Sequence, residues 1–135
     1  MIYGLGEYLV LLVMMIFAHL LADYTLQGWL AQAKCKDYWA GKGDKYKNDY
    51  IPALICHSLM WSIAILIPAL FMLESDGLFV VLLIIPNTII HCIVDDLKAN
   101  YKAINLWQDQ LLHLAQILVT WGLIIFIVEV WLWLN

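Results

Sequence analysis

The chain contains no arginine and little charge of any kind. Its seven lysines and eleven Asp plus Glu make up 13% of 135 residues, and the net charge is −4. An ordinary soluble domain carries about 25% charged residues. Without a basic surface to neutralise phosphates, nucleic-acid binding is excluded as an expectation. Cysteine is nearly as scarce. Cys35, Cys56 and Cys92 form no CxxC pair and no even-numbered framework, which argues against disulfide scaffolding. Cys56 and Cys92 read as small apolar packing residues. The first twelve residues carry Glu7 where a secretory signal would carry Lys or Arg, and no small-residue cleavage site follows. They read as the start of a first helix.

What remains is apolar. Hydrophobic residues reach 64% and the mean hydropathy is +0.83, beyond the roughly 45–50% of soluble domains. Apolar runs near the length that crosses a bilayer recur along the chain. The expected fold is all-α: an integral membrane bundle of four transmembrane helices in a single domain, 1–135. The spans cover about 3–31, 51–73, 78–98 and 106–134. Pro68 and Pro86 fall inside the second and third spans, where each frees a carbonyl four residues earlier. Asn105 is placed to cap the fourth, whose Trp107, Trp131 and Trp133 suit interfacial belts. Loop 34–50 carries Lys34, Lys36, Lys42, Lys45 and Lys47, and the loop after the third span carries Lys98 and Lys102. The second loop has only Glu74 and Asp76. Lysine bias therefore puts the first and third loops in the cytoplasm, and both termini and the Glu74–Gly77 turn on the outer side.

Against this background the polar residues form a pattern. His19, Asp23 and Gln27 stand at i, i+4 and i+8; Asn87, His91 and Asp95 repeat the spacing; Asp109 and His113 are again four apart; His57 lies in the second span. Residues four apart share a helix face. Each of the three paired histidines lies about 6 Å deeper than its aspartate, and His57 about 9 Å in from Ile51, at 1.5 Å per residue. Four helices thus place His19, His57, His91, His113, Asp23, Asp95 and Asp109 in one layer, which avoids lipid only in the bundle core. The chain also reads as two hairpins. Each opens with HxxxD, crosses a lysine-bearing loop and returns with a histidine, 34 residues from Asp23 to His57 and 18 from Asp95 to His113. Such a repeat brings ligands of both halves towards one axis.

Imidazole and carboxylate are the ligands of zinc and similar divalent metals, and an i, i+4 pair on a helix binds one ion together. Alternatively, the aspartate orients the histidine. The acidic neighbours suit a hydrated cation better than haem, which four histidines could otherwise ligate. Taken singly, Asn87, Gln116 and Ser62 read as interhelical hydrogen-bond glue. The lysines of loop 34–50, interleaved with Tyr38, Trp39, Tyr46 and Tyr50, read as a solvated face or as an interfacial segment attracted to anionic lipid. Lys98 reads as an i, i+3 partner of Asp95 or as a phosphate contact. Glu129 is expected at the headgroups, and Asp96 pointing away from the layer.

The segments HLLADYTLQ (19–27), AQAKCK, ALICH ending at His57, HCIVDDLK (91–98) and WQDQLLH (107–113) resemble a bacterial and phage family of small membrane proteins catalogued as a domain of unknown function. On that resemblance the motif residues are His19, Asp23, Gln27, Lys34, His57, His91, Asp95, Lys98, Asp109, Gln110 and His113. More distantly the HxxxD helices resemble inner-membrane proteins described as metal-dependent hydrolases. The resemblances imply a multi-pass protein of the bacterial inner (cytoplasmic) membrane.

The expectation is a metal-dependent hydrolase acting on a lipid or lipid-linked ester or phosphoester near the cytoplasmic interface. A divalent metal, zinc first and manganese second, is expected on His19, Asp23, His91, Asp95 and His113. His57, as base or further ligand, and Asp109 are expected catalytic residues. Gln27, Lys34, Lys98 and Gln110 are expected to contact substrate. Membrane lipid is the expected partner, with a homo-oligomer open. Two alternatives stand beside it: a proton or cation transporter using the same layer as a relay, and a noncatalytic membrane partner or phage accessory protein.

Overall fold

The computed structural model describes residues 3–73 and 77–134. Glu74 and Asp76, and so the turn expected at 74–77 apart from Gly77, lie outside the described residues. Among the described residues every regular element is helical. The order is α1 (Leu5–Leu20), a π-helical turn (Leu21–Thr25), short helices α2 (Leu30–Ala33) and α3 (Lys36–Trp39), a 3-10 turn (Asp44–Tyr46), α4 (Tyr50–Met72), α5 (Leu78–Leu82), α6 (Ile84–Ala99) and α7 (Leu106–Leu134). Four stretches are long and apolar enough to cross a membrane: Leu5–Thr25, Asp44–Met72, Leu78–Ala99 and Leu106–Leu134. The protein is a bundle of membrane-compatible helices. Many large apolar side chains, such as Phe17, Phe71, Ile85 and Phe126, point outward from it, as a lipid-facing surface requires.

Each long helix buries one stripe. On α1 it is Tyr8, Leu11, Met15 and His19; on α6, Asn87, His91, Val94 and Asp95; on α7, Asp109, His113, Gln116, Ile117, Thr120, Ile124 and Val128. The spacing of three and four residues is that of a helix face. The core divides along the bundle axis. One half is apolar, built on Leu11, Met15, Trp61, Ile65, Ile117 and Ile124. The other holds the buried histidines and aspartates.

Three departures from regular helix position that polar half. The α-helix of the first span ends at Leu20. Leu26 N–H then bonds to Leu21 C=O at 2.8 Å, closing the π turn that carries Asp23. The span ends at Thr25 instead of near residue 31. Gly28 then turns the chain at φ +48°, a backbone that favours glycine. Gln27 therefore leaves the helical stripe, and its side-chain amide folds back onto the Asp23 carbonyl. The third span breaks at Leu83 between α5 and α6. Pro86 is the cause, because its ring displaces the carbonyl of Leu82 and it has no N–H to offer it. Pro68, by contrast, is accommodated within a continuous α4. Asn105 caps α7 as expected: Gln108 N–H donates to Asn105 Oδ1 at 3.0 Å, and Asn105 N–H to Gln108 Oε1 at 2.9 Å, a reciprocal box.

Candidate metal centre

α1, α4, α6 and α7 each contribute one fully buried histidine, and His19, His57, His91 and His113 are at most 2% exposed. His57 Nε2 is the hub. It lies 3.3 Å from Asp23 Oδ1, 3.2 Å from Asp95 Oδ2 and 3.3 Å from His91 Nε2. His91 Nε2 is also 3.7 Å from Asp95 Oδ2. These four residues offer ligand atoms that all lie within 4.8 Å of one another, so the group could hold a metal ion. A second group, Asp23, Asp109 and His113, meets the same condition.

The hub is hard to satisfy by hydrogen bonds alone. An imidazole nitrogen carries at most one hydrogen, yet His57 Nε2 faces two carboxylate oxygens and a ring nitrogen. A cation among the four atoms attracts all of them. The spacing also suits one. Metal–ligand bonds of about 2.0–2.1 Å in a tetrahedron place ligand atoms about 3.3–3.4 Å apart, close to the separations at His57. On chemistry and on distance the residues fit a divalent metal.

His19 has a different place. Trp61 Nε1–H donates to His19 Nδ1 at 2.8 Å. Indole is a donor only, so Nδ1 accepts and the ring proton sits on Nε2, facing Gln110 Oε1 at 3.1 Å. Gln110 Nε2 in turn donates to Asp109 Oδ2 at 2.9 Å and Asp23 Oδ2 at 3.2 Å. With both nitrogens engaged, His19 lies outside both metal-compatible groups and acts on them through Gln110. Gln110 is therefore inside the layer, bridging two aspartates. Lys34 and Lys98 also reach in: Lys34 Nζ is 2.5 Å from Asp95 Oδ2, and Lys98 Nζ is 2.5 Å from Asp109 Oδ2. The i, i+3 pairing of Lys98 with Asp95 is thus replaced by an interhelical pair, because Asp95 is taken by Lys34.

Two residues that the spacing did not single out shape this layer. Trp61, one turn from His57 on α4, sets the His19 tautomer. It also stacks on His91, with ring centroids 4.2 Å apart and planes 24° apart. Its signal was present in the sequence: a lone tryptophan inside an aliphatic span needs an acceptor for its N–H. Asn100, just past α6, accepts from Lys36 N–H at 2.7 Å and donates to the Lys34 carbonyl at 3.1 Å. It also donates to Asp96 Oδ1 at 2.7 Å, which holds Asp96 away from the layer. Asn100 thereby anchors the backbone that presents Lys34.

Around that anchor, Trp29, Tyr38 and Trp39 pack edge to face. Lys42 lies 3.3 Å from the Tyr38 ring centroid, and Lys36 sits over Tyr50 and Tyr101. Away from the layer, Gln116 Nε2 and Thr120 Oγ1 each donate to Asn87 Oδ1 at 2.9 Å, the interhelical glue expected of Asn87 and Gln116. Ser62 instead donates to the Ser58 carbonyl of its own helix, at 2.8 Å. Cys56 is exposed rather than packed inside. Glu129 Oε1 accepts from the Tyr8 hydroxyl at 2.5 Å, so it is tied to α1.

A family model described as "Protein of unknown function (DUF3307)" matches residues 11–134. The chain belongs to DUF3307. The match takes in all four buried histidines and their aspartates, so the layer lies wholly within the family domain. No curated protein and no solved structure matches the chain.

Proposed function

We propose that this DUF3307 member is a membrane-embedded, metal-dependent hydrolase of a lipid or lipid-linked ester or phosphoester. The observation that carries the reading is the convergence of Asp23, His91 and Asp95 on His57 Nε2 at metal-ligand spacing. Asp23, His57, His91 and Asp95 hold the metal, with zinc the best match to this donor set. A divalent cation there supplies Lewis-acid polarisation of the scissile ester and activation of water near neutral pH. His19, Trp61 and Gln110 orient Asp23 and Asp109. Lys34 and Lys98 offer ammonium groups to an anionic headgroup.

A groove supports the lipid assignment. Leu83, Pro86, Ile90 and Val94 of the third span and Leu112 and Leu123 of α7 help line a cavity of about 250 Å³. Its lining includes the polar Asn87, Gln116 and Thr120, and also Val94 and Leu112, the chain neighbours of Asp95 and His113. An acyl chain held there with its ester against Val94 and Leu112 would bring that ester towards the layer. The lysine bias of the loops supports a reaction at the cytoplasmic face of a bacterial inner membrane, with both termini outside. A transport role is less well supported, since the fully buried Leu11, Met15, Ile65, Ile117 and Ile124 close the other half of the core.

Elemental mass spectrometry on detergent-purified protein tests the metal, and hydrolysis of mixed-lipid micelles tests the reaction. Near-stoichiometric divalent metal and lipid hydrolysis, both lost in Asp23→Ala with Asp95→Ala, are expected. Activity retained in that folded double variant would refute the catalytic role. Protein that stays metal-free after zinc or manganese reconstitution would refute the metal reading and leave a register-setting polar layer.

A further inference from the structure

The second group, Asp23, Asp109 and His113, is one residue smaller than the first and just as buried. His113 is fully buried, and its Nε2 lies 3.4 Å from both Asp95 Oδ1 and Asp109 Oδ1. Those approaches are contacts without hydrogen-bond geometry. Neither His113 nitrogen has a hydrogen-bond partner among the described residues, and neither does Asp109 Oδ1. Buried polar atoms are almost always partnered, and two of these, His113 Nε2 and Asp109 Oδ1, face one another at 3.4 Å.

The neighbours make the free oxygen specific. Asp109 Oδ2 takes Lys98 Nζ at 2.5 Å and Gln110 Nε2 at 2.9 Å. Oδ1 is left facing His113. Asp95 divides its carboxylate in the same way: Oδ2 faces His57 at 3.2 Å and Oδ1 faces His113 at 3.4 Å. Asp23 belongs to both metal-compatible groups. The separations at His113 again match the about 3.3–3.4 Å between ligands in a tetrahedron with bonds of about 2.0–2.1 Å.

We infer that the layer holds two divalent ions: one on Asp23, His57, His91 and Asp95, the other on Asp109 and His113 with Asp23 and Asp95 shared between them. This deepens the metal reading above and rests on it. Carboxylate-sharing pairs about 3.5–4 Å apart clamp both the attacking and leaving oxygens of a displacement at phosphorus. Charge points to the same substrate class. Two divalent ions beside Asp23, Asp95, Asp109, Lys34 and Lys98 leave the layer strongly positive with neutral imidazoles. That surplus favours an anionic phosphoester over a neutral carboxylic ester.

The test loads metal-free, detergent-solubilised full-length protein with Mn²⁺ and measures bound metal and the electron paramagnetic resonance spectrum. Wild type should bind two ions per chain and give the spectrum of a magnetically coupled pair. His113→Gln and Asp109→Asn should each bind one ion and give an uncoupled spectrum. A single uncoupled ion in wild type, or a coupled pair retained in folded His113→Gln, overturns the second site and leaves the first standing. No bound ion in wild type overturns both. If the variants fail to fold, the wild-type stoichiometry and coupling decide the matter.

Discussion

Replacing Lys34 by methionine should weaken the metal-free protein and tighten its hold on metal. The Lys34 ammonium lies 2.5 Å from Asp95 Oδ2, and the two side chains are 13% and 3% exposed. That oxygen also faces His57 Nε2 at 3.2 Å and His91 Nε2 at 3.7 Å, within the group that could hold a metal. Methionine keeps the stem's apolar packing and removes only the charge. Removing one partner of a buried pair costs about 3–5 kcal/mol, because the other charge is left uncompensated. Asp95 retains its contacts to His57 and His113, which argues for the lower end, about 3 kcal/mol. In the metal-bound protein a divalent cation takes over the ammonium's role, so most of that penalty vanishes. The cycle must close, and the difference returns as binding energy. About 3 kcal/mol corresponds to roughly 100-fold tighter binding at 1.4 kcal/mol per tenfold. Tryptophan-fluorescence melting of metal-free protein in detergent, and zinc competition against a chromophoric chelator, read the two halves separately. Unchanged or weaker zinc binding in a folded Lys34→Met protein would mean that the ammonium and the metal do not compete for Asp95.

Trp61→Phe leaves His19 Nδ1 without its donor and should cost about 1–3 kcal/mol; imidazole nitrogen-15 NMR should show that His19 no longer holds its proton on Nε2 alone. Asn87→Leu strips the side-chain acceptor from Thr120 and from Gln116, which keeps the Asn87 carbonyl at 2.9 Å. At about 0.6 kcal/mol for an average interhelical bond in a membrane, it should lower the melting point with metal stoichiometry unchanged. Asn105→Ala removes the α7 cap and should cost about 1 kcal/mol. Amide hydrogen exchange should then quicken at residues 106–109 and nowhere near His57.

Much of this was legible from spacing. The i, i+4 repeats at His91/Asp95 and Asp109/His113 sit on regular helix, so equal spacing became a shared buried face. Gln27 departs from its i, i+4 stripe, because the π turn at Leu21–Thr25 and the turn at Gly28 take it off the helix. Pro86 broke the third span where its missing N–H required, whereas Pro68 left α4 continuous. The partners of Lys34 and Lys98 were not legible. Lys98 stands three residues from Asp95, yet it reaches Asp109 on another helix.

Residue order alone dictates the membrane-compatible helices and a polar layer at a common depth. Both are consequences of composition and helical period, and each acts within a single segment. Helix packing sets which nitrogen meets which oxygen: His57 at the hub, His19 turned aside by Trp61 and Gln110, and Asp95 divided between His57 and His113. Such choices depend on how four helices rotate against one another, and residues distant in sequence carry no local record of that rotation.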